Sequence, residues 1–236
     1  MTRYPASDPA SPLIVLGHGA GAGEQSGWMR DVGKGLSARG ISVVTFDFPY
    51  MAAGRKVPDK GAVLEDAFAA IWTEAVRGAA SDRIFAGGKS MGGRISSQTA
   101  ARSLFQPPPA GLVFFGYPLH PPGKPEQRRD RHLPQIAAPM LFLHGTRDPF
   151  GSPDEMRELV ASLPHATLHL VDGGDHSLVV KRARTSGASS EVRTQRSEPG
   201  GAQGAPPISK DGGDSVERAV ATAAAWIKER TSGASA

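Results

Sequence analysis

The chain has 236 residues, of which 39% are hydrophobic and 21% charged, with 29 Gly, 20 Pro and no Cys. That length suits a single α/β domain with a full core, and the missing Cys excludes disulfides, thiolate metal ligands and a cysteine nucleophile. Lys and Arg exceed Asp and Glu by 27 to 23, an excess scattered along the sequence rather than gathered on one face, which argues against nucleic acid as a partner. No apolar run approaches the ~18 residues of a membrane span. The early apolar run is too short for a signal peptide. The expectation is a cytoplasmic protein that binds neither membrane nor nucleic acid.

The first apolar run, residues 13–16, leads into the glycine-rich His18-Gly19-Ala20-Gly21-Ala22-Gly23. Further runs follow at 41–46, 83–86, 112–115, 140–143 and 167–171. Most are continuous Val, Ile, Leu and Phe rather than alternating, the pattern of strands covered on both faces of a parallel sheet. Helical spacing lies between them. Trp28, Val32 and Leu36 run toward Gly40, a candidate helix-ending glycine, and Val63, Ala67, Ala70 and Ile71 mark a helix over 62–76. A third helix, 91–104, follows the third run directly. Ser152-Pro153-Asp154-Glu155 reads as N-cap, first-turn Pro and capping-box Glu, and a last helix spans 216–228. Strands alternating with helices predict a doubly wound, mostly parallel sheet of about six strands with helices on both faces. Two segments interrupt the alternation within what reads as one domain over 1–236. The proline-rich 117–139 is expected to be a loop acting as a minimal cap, and the polar 184–213 a disordered insertion before the last helix.

Chemistry concentrates at the ends of these runs. Gly88-Lys89-Ser90-Met91-Gly92 matches G-x-S-x-G between a strand and a helix. That is where a sharp turn can expose a nucleophilic serine, with small neighbours relieving the crowding. Lys89-Ser90 also ends like a phosphate-binding loop, but Ile84 stands where that pattern needs its first Gly. The glycines after the first strand can aim the Ala20 N–H, together with that of Met91, at a developing oxyanion. The same stretch, with Asp47 after the second strand, fits a dinucleotide fingerprint if Ala22 replaces the final Gly, so that reading stays open here. His18 itself reads as a structural side chain of this loop.

Asp148 lies just past the fifth run and His176 just past the sixth. Both positions are at the C-terminal strand edge, where open α/β sheets place their sites. A serine hydroxyl needs a base, imidazole serves near neutral pH, and a carboxylate must orient it. Asp172 and Asp175 compete with Asp148 but sit very close to His176 in sequence. His144 follows a strand and reads as packing there, while His120, His132, His165 and His169 have no matching context. No H-E-x-x-H occurs, so neither a metal nor any cofactor is expected.

His18–Gly21, Gly87-Gly88-Lys89-Ser90-Met91-Gly92-Gly93-Arg94, Tyr117–Pro125 and Gly145-Thr146-Arg147-Asp148-Pro149-Phe150-Gly151 together resemble the α/β-hydrolase superfamily over about residues 12–180 and the last helix. Within it they are similar to the small dienelactone-hydrolase-like group that includes KAT8 regulatory NSL complex subunit 3 and testis-expressed protein 30 relatives. The resemblance implies a Ser90–Asp148–His176 triad, an oxyanion hole at Ala20 and Met91, and a small-molecule acyl substrate, but no particular substrate. Dienelactone hydrolase proper uses a Cys nucleophile, which this chain lacks. The antiparallel strands that open the superfamily fold are expected to be missing, because the first run comes so early. The expected activity is hydrolysis of an ester, thioester or amide through an acyl-Ser90 intermediate. The alternative is a protein-interaction module that keeps hydrolase geometry. Lys89, Arg94 and Arg147 are candidate contacts for a carboxylate or phosphate on the substrate, or else solvated surface charge.

Overall fold

The computed structural model describes residues 1–181 and 213–232. Its strands are β1 (Thr2–Tyr4), β2 (Leu13–Gly17), β3 (Ser42–Phe46), β4 (Ile84–Lys89), β5 (Leu112–Phe115), β6 (Met140–Gly145) and β7 (Ala166–Val171). Its helices are α1 (Gly27–Ser37), α2 (Pro49–Ala52), α3 (Gly61–Arg77), α4 (Met91–Ala101), α5 (Pro153–Ala161) and α6 (Gly213–Ser232), with a 3-10 turn at Leu133–Gln135. The strands form one seven-stranded sheet in the order β1-β3-β2-β4-β5-β6-β7. Every pairing is parallel except β1 with β3.

Side chains alternate across the sheet. Ile14, Leu16, Val113, Phe115, Leu141 and Leu143 pack against α1 and α6 on one face. Leu13, Val15, Leu112, Phe114, Met140 and Phe142 pack against α3, α4 and α5 on the other. Double coverage is why the central strands read as unbroken apolar runs, and each such buried side chain contributes about 1.5–3 kcal/mol.

β1 corrects the expectation that no antiparallel strand opens the fold. Three residues before Pro5 carry no periodic signal. The strand exists through pairing of Thr2 with Thr45 and Tyr4 with Val43. It is pinned by Glu24, whose carboxylate accepts from the Thr2 N–H and Oγ1 at 3.1 Å each and from Thr45 Oγ1 at 2.7 Å. Helix α4 stops at Ala101, short of 104, where Ser103 adopts φ 55° and cannot continue the helical path. The capping box at Ser152 and Glu155 forms as the sequence predicts. Helix α2 and the 3-10 turn, at four and three residues, are too short to leave a periodic trace. Segment 117–139 contains that 3-10 turn and no α-helix. Of the expected insertion at 184–213, only Gly213 falls within the described residues, as the first residue of α6; the rest lies outside them. Among the described residues no helix is long and apolar enough to cross a membrane.

Because β2, β4, β6 and β7 run parallel, the segments after Gly17, Lys89, Gly145 and Val171 all emerge at one edge of the sheet. The site is built there.

Candidate active site

Strand β4 passes into α4 through Ser90, which holds φ 49° and ψ −114°. Such a conformation costs a non-glycine residue about 1–3 kcal/mol and persists only where the surroundings impose it. The surroundings here are backbone. The Ser90 N–H donates to the Phe115 carbonyl at 3.0 Å, and the turn lies so close to β2 that a Cβ on Gly88 or Gly92 would run into the Gly17 carbonyl. Glycine at both positions lets the turn seat against the sheet, and Ser90 is left facing out at the first turn of α4.

His176 reaches Ser90 from the loop after β7. Its Nε2 lies 2.8 Å from Ser90 Oγ and its Nδ1 lies 2.8 Å from Asp148 Oδ2. A carboxylate only accepts, so Nδ1 carries the proton and Nε2 is left to accept from the serine hydroxyl. Asp148 has no exposed side-chain surface, and its Oδ1 accepts the Phe150 N–H at 2.9 Å. The Phe150 ring lies over the His176 imidazole, centroids 4.1 Å apart and planes 29° apart. Behind Asp148, His144 donates from Nε2 to the Gly151 carbonyl at 2.8 Å. This leaves its Nδ1 unbonded, 3.6 Å from Asp148 Oδ2. Burial holds His144 below the usual histidine value, so it stays neutral.

Three side chains fix the His176 loop. Asp175 Oδ1 accepts from the N–H groups of Ser177 at 2.8 Å and Val179 at 3.1 Å. The Trp28 indole N–H donates to the Ser177 carbonyl at 3.0 Å. Lys89 Nζ donates to Ser177 Oγ at 3.0 Å and lies 5.2 Å from the Trp28 ring centroid. Burial pushes the Lys89 ammonium down to about 8, against the raising effect of Asp175 and Asp148.

His18 is fully buried. It donates from Nδ1 to the Gly19 carbonyl at 2.8 Å and accepts the Phe48 N–H on Nε2 at 3.1 Å. That requires the neutral ring, and burial lowers its pKa accordingly. His18 therefore ties the glycine loop to the start of α2, as a structural side chain. Asp47, the acidic residue of the alternative dinucleotide pattern, is engaged by the loop itself, accepting the Glu24 N–H at 2.8 Å. Among the described residues the N–H groups of Ala20 and Met91 donate to no protein acceptor. Both residues line the same cavity as Ser90.

That cavity has a volume of about 810 Å³ and is walled on its apolar side by Trp28, Met29, Leu64, Phe150 and Val179. Ser90, Met91, Ala20 and His176 line it, with Asp148 directly behind His176. Lys89 and Arg94 also line it. Arg147 does not. Its side chain is exposed and its N–H donates to the Gly174 carbonyl, so the residue beside Asp148 points away from the site. Sequence reasoning missed Arg129, Trp28 and Ser177. Arg129 had a signal, the charged centre of the proline-rich segment. Trp28 and Ser177 had none, because their role lies in hydrogen bonds across the fold. Among the described residues no cluster of His, Asp and Glu could hold a metal ion.

The fold and this edge of the sheet define an α/β hydrolase, and the chain belongs to the alpha/beta hydrolase domain family, which matches it over residues 10–199. Solved structures share the fold at low sequence identity. Est1E from Butyrivibrio proteoclasticus aligns at TM-score 0.65 and 12% identity, covering 96% of this chain and 90% of that one. Dienelactone hydrolase from Anabaena variabilis aligns at TM-score 0.65 and 15% identity, covering 95% and 88%. An α/β serine hydrolase without lid from Xanthomonas campestris aligns at TM-score 0.56 and 18% identity, covering 73% and 77%.

Proposed function

We propose that the protein is a serine hydrolase that cleaves a small or medium carboxylic ester, with thioesters and amides within the same chemistry, through an acyl-Ser90 intermediate. The observation that carries this is the hydrogen-bonded line from Ser90 Oγ through His176 to the shielded Asp148, opening on the cavity. Esterase and hydrolase neighbours on the same fold support it. The motif stretches further favour membership of the dienelactone-hydrolase-like group, with Ser90 replacing the cysteine nucleophile.

In the first half-reaction His176 Nε2 takes the Ser90 proton as Oγ bonds to the substrate carbonyl carbon. The carbonyl oxygen becomes an oxyanion facing the free N–H groups of Ala20 and Met91. Asp148 holds the Nδ1–H tautomer and stabilises the imidazolium. Collapse of the intermediate breaks the bond to the leaving group, which departs with the proton from His176 Nε2. Water repeats the sequence on the acyl-enzyme, freeing the acid and restoring Ser90–OH. The strained turn supports this role, since a scaffold has no need of a serine held at φ 49°.

The test is intact-mass analysis after exposure to a fluorophosphonate, beside Ser90→Ala. One adduct on the native chain and none on the variant is expected, together with a loss of ester turnover of about 10⁴- to 10⁶-fold in the variant. Absence of labelling on folded protein would overturn the reading and favour the interaction-module alternative.

A further inference from the structure

The charged groups around the cavity are unevenly paired. Lys89, Arg94, Arg129 and Lys181 line it against Asp59 and Asp175. On the His176 side the charges are matched: Asp175 holds the loop N–H groups beside Lys89, whose ammonium is committed to Ser177. Near α3, Asp59 accepts from Arg55 at 2.7 Å. On the side of the proline-rich segment no carboxylate among the described residues bonds to Arg94 or Arg129.

Arg94 stands on the first turn of α4, its N–H donating to the Ser90 carbonyl at 3.0 Å, and both residues line the cavity. Arg94 is half-buried. Its Nη1 donates to Gln98 Oε1 at 2.9 Å, while its Nε is buried with no partner. Arg129, also half-buried, has no side-chain partner among the described residues. The two guanidinium groups repel: burial first, and then the charge of Arg129, hold Arg94 below its ordinary value. Neighbouring carboxylates are engaged elsewhere, Glu65 by Arg102 at 2.5 Å and Asp130 by Arg128 at 2.7 Å. Two half-buried like charges lining one cavity, with no carboxylate bonded to either among the described residues, are costly to the fold, and an anion bound by both would relieve them. The planar guanidinium fork matches a carboxylate with two parallel hydrogen bonds.

We propose that Arg94 and Arg129 form a carboxylate-binding subsite, so that the ester cleaved at Ser90 carries a second, ionised carboxyl group. This deepens the reading of Ser90 as nucleophile and rests on it. Trp28, Leu64 and Val179 offer the rest of the substrate an apolar wall.

Calorimetric titration of the Ser90→Ala protein separates binding from chemistry. Monomethyl glutarate, dimethyl glutarate and monopropyl phosphate serve as probes. The monoanionic carboxylate should bind about tenfold or more tightly than the neutral diester, the scale of one charge-assisted hydrogen bond. Arg94→Gln and Arg129→Gln should each remove most of that difference, and Arg94→Lys should restore part of it. Arg129 sits on a loop, so its variant keeps the test available if the α4 variant fails to fold. Equal binding of the two glutarates, no binding of either, or a preference that survives both Gln variants would overturn the proposal. Tenfold tighter binding of the phosphate would replace carboxylate with phosphate as the substrate's anion. Failure of the Ser90 reading shows separately, as carboxylate binding without fluorophosphonate labelling or turnover of monomethyl glutarate by the native chain.

Discussion

The turn that carries Ser90 and the loop that carries His176 meet at a hydrogen bond of 2.8 Å, yet side chains take a far larger share in holding the second. The Ser90 turn is set by main chain: a hydrogen bond to the Phe115 carbonyl and the near contact of two glycines with Gly17. The His176 loop has main-chain bonds of its own, among them the Asp175 N–H to the Val179 carbonyl at 3.1 Å, and adds to them the side chains of Asp175, Trp28 and Lys89. A backbone-made geometry leaves no room for adjustment, so substitutions there act on the fold as a whole. A geometry made by several side chains can be weakened one bond at a time, and its faults should appear in activity before they appear in stability.

The sharpest separation of the two is expected from Asp148→Asn. The amide can still occupy the buried position, so the fold should persist. The imidazole loses the partner that sets its tautomer and stabilises its charge, and kcat should fall about 10⁴-fold. Steady-state ester hydrolysis and a denaturation curve on the same sample test this. A large loss of stability with activity retained would contradict the roles assigned. Next in size is Gly92→Ala. The added methyl meets a main-chain carbonyl that is itself part of β2, and neither can shift without disturbing the sheet. A destabilisation of about 3 kcal/mol or more is expected, read as a drop in the denaturant midpoint at constant m-value. A change within 0.5 kcal/mol, the range of about ±0.5 typical of neutral surface sites, would show that the turn is less constrained than its contacts indicate.

The same contrast explains what could be read from the chain alone. The Ser90 turn, Asp148 and His176 were legible because each depends on local order: a run of apolar residues, then a small-residue turn or a polar residue at the strand's end. The inner runs were legible because double coverage leaves an unbroken apolar trace, whereas β7, half-exposed at the sheet edge, keeps Thr167 and His169 within its run. Strand β1 was not, since its three residues, paired to Thr45, Val44 and Val43, owe their conformation to partners about forty positions away. Arg147 and Arg129 show the limit most plainly. One is adjacent to Asp148 in sequence yet faces outward, and the other lies in a proline-rich loop yet lines the cavity. Side-chain direction in irregular segments has no period to betray it.

A smaller effect, with opposite signs in stability and activity, is expected at Lys89. Its ammonium is held near 8 by burial, against 10.5 when exposed. Between those values the unfolded chain binds the proton and the folded chain does not. Stability therefore rises with pH from 8 toward 10.5, and the full penalty is present below 8. Lys89→Met keeps the length and removes the charge. It should stabilise the protein by about 1–3 kcal/mol near pH 7, with the gain disappearing as pH approaches 10.5. Loss of the bond to Ser177 Oγ should lower kcat in the same variant. Thermal melts across pH 7 to 10, paired with rates, check both signs.

The finest division comes from Trp28, which supports the His176 loop by one donor while filling the core with its ring. The ring packs edge-on to Phe115, centroids 5.5 Å apart, and the indole N–H reaches the Ser177 carbonyl at 3.0 Å. Trp28→Phe keeps most of the packing and deletes the donor. Ser177 is half-buried and lines the cavity, where water can replace the lost bond, so the stability cost should stay at about 1 kcal/mol. The loop that carries His176 nevertheless gains freedom, and in the proposed mechanism each misplacement of Nε2 removes the base of Ser90. A loss of kcat of several-fold is expected, with a smaller change in KM, because the imidazole meets the reacting atoms while the apolar wall remains. Unchanged kcat with a large fall in melting temperature would instead make Trp28 a core residue only, and would leave Asp175 and Lys89 as the side chains that hold the histidine in place.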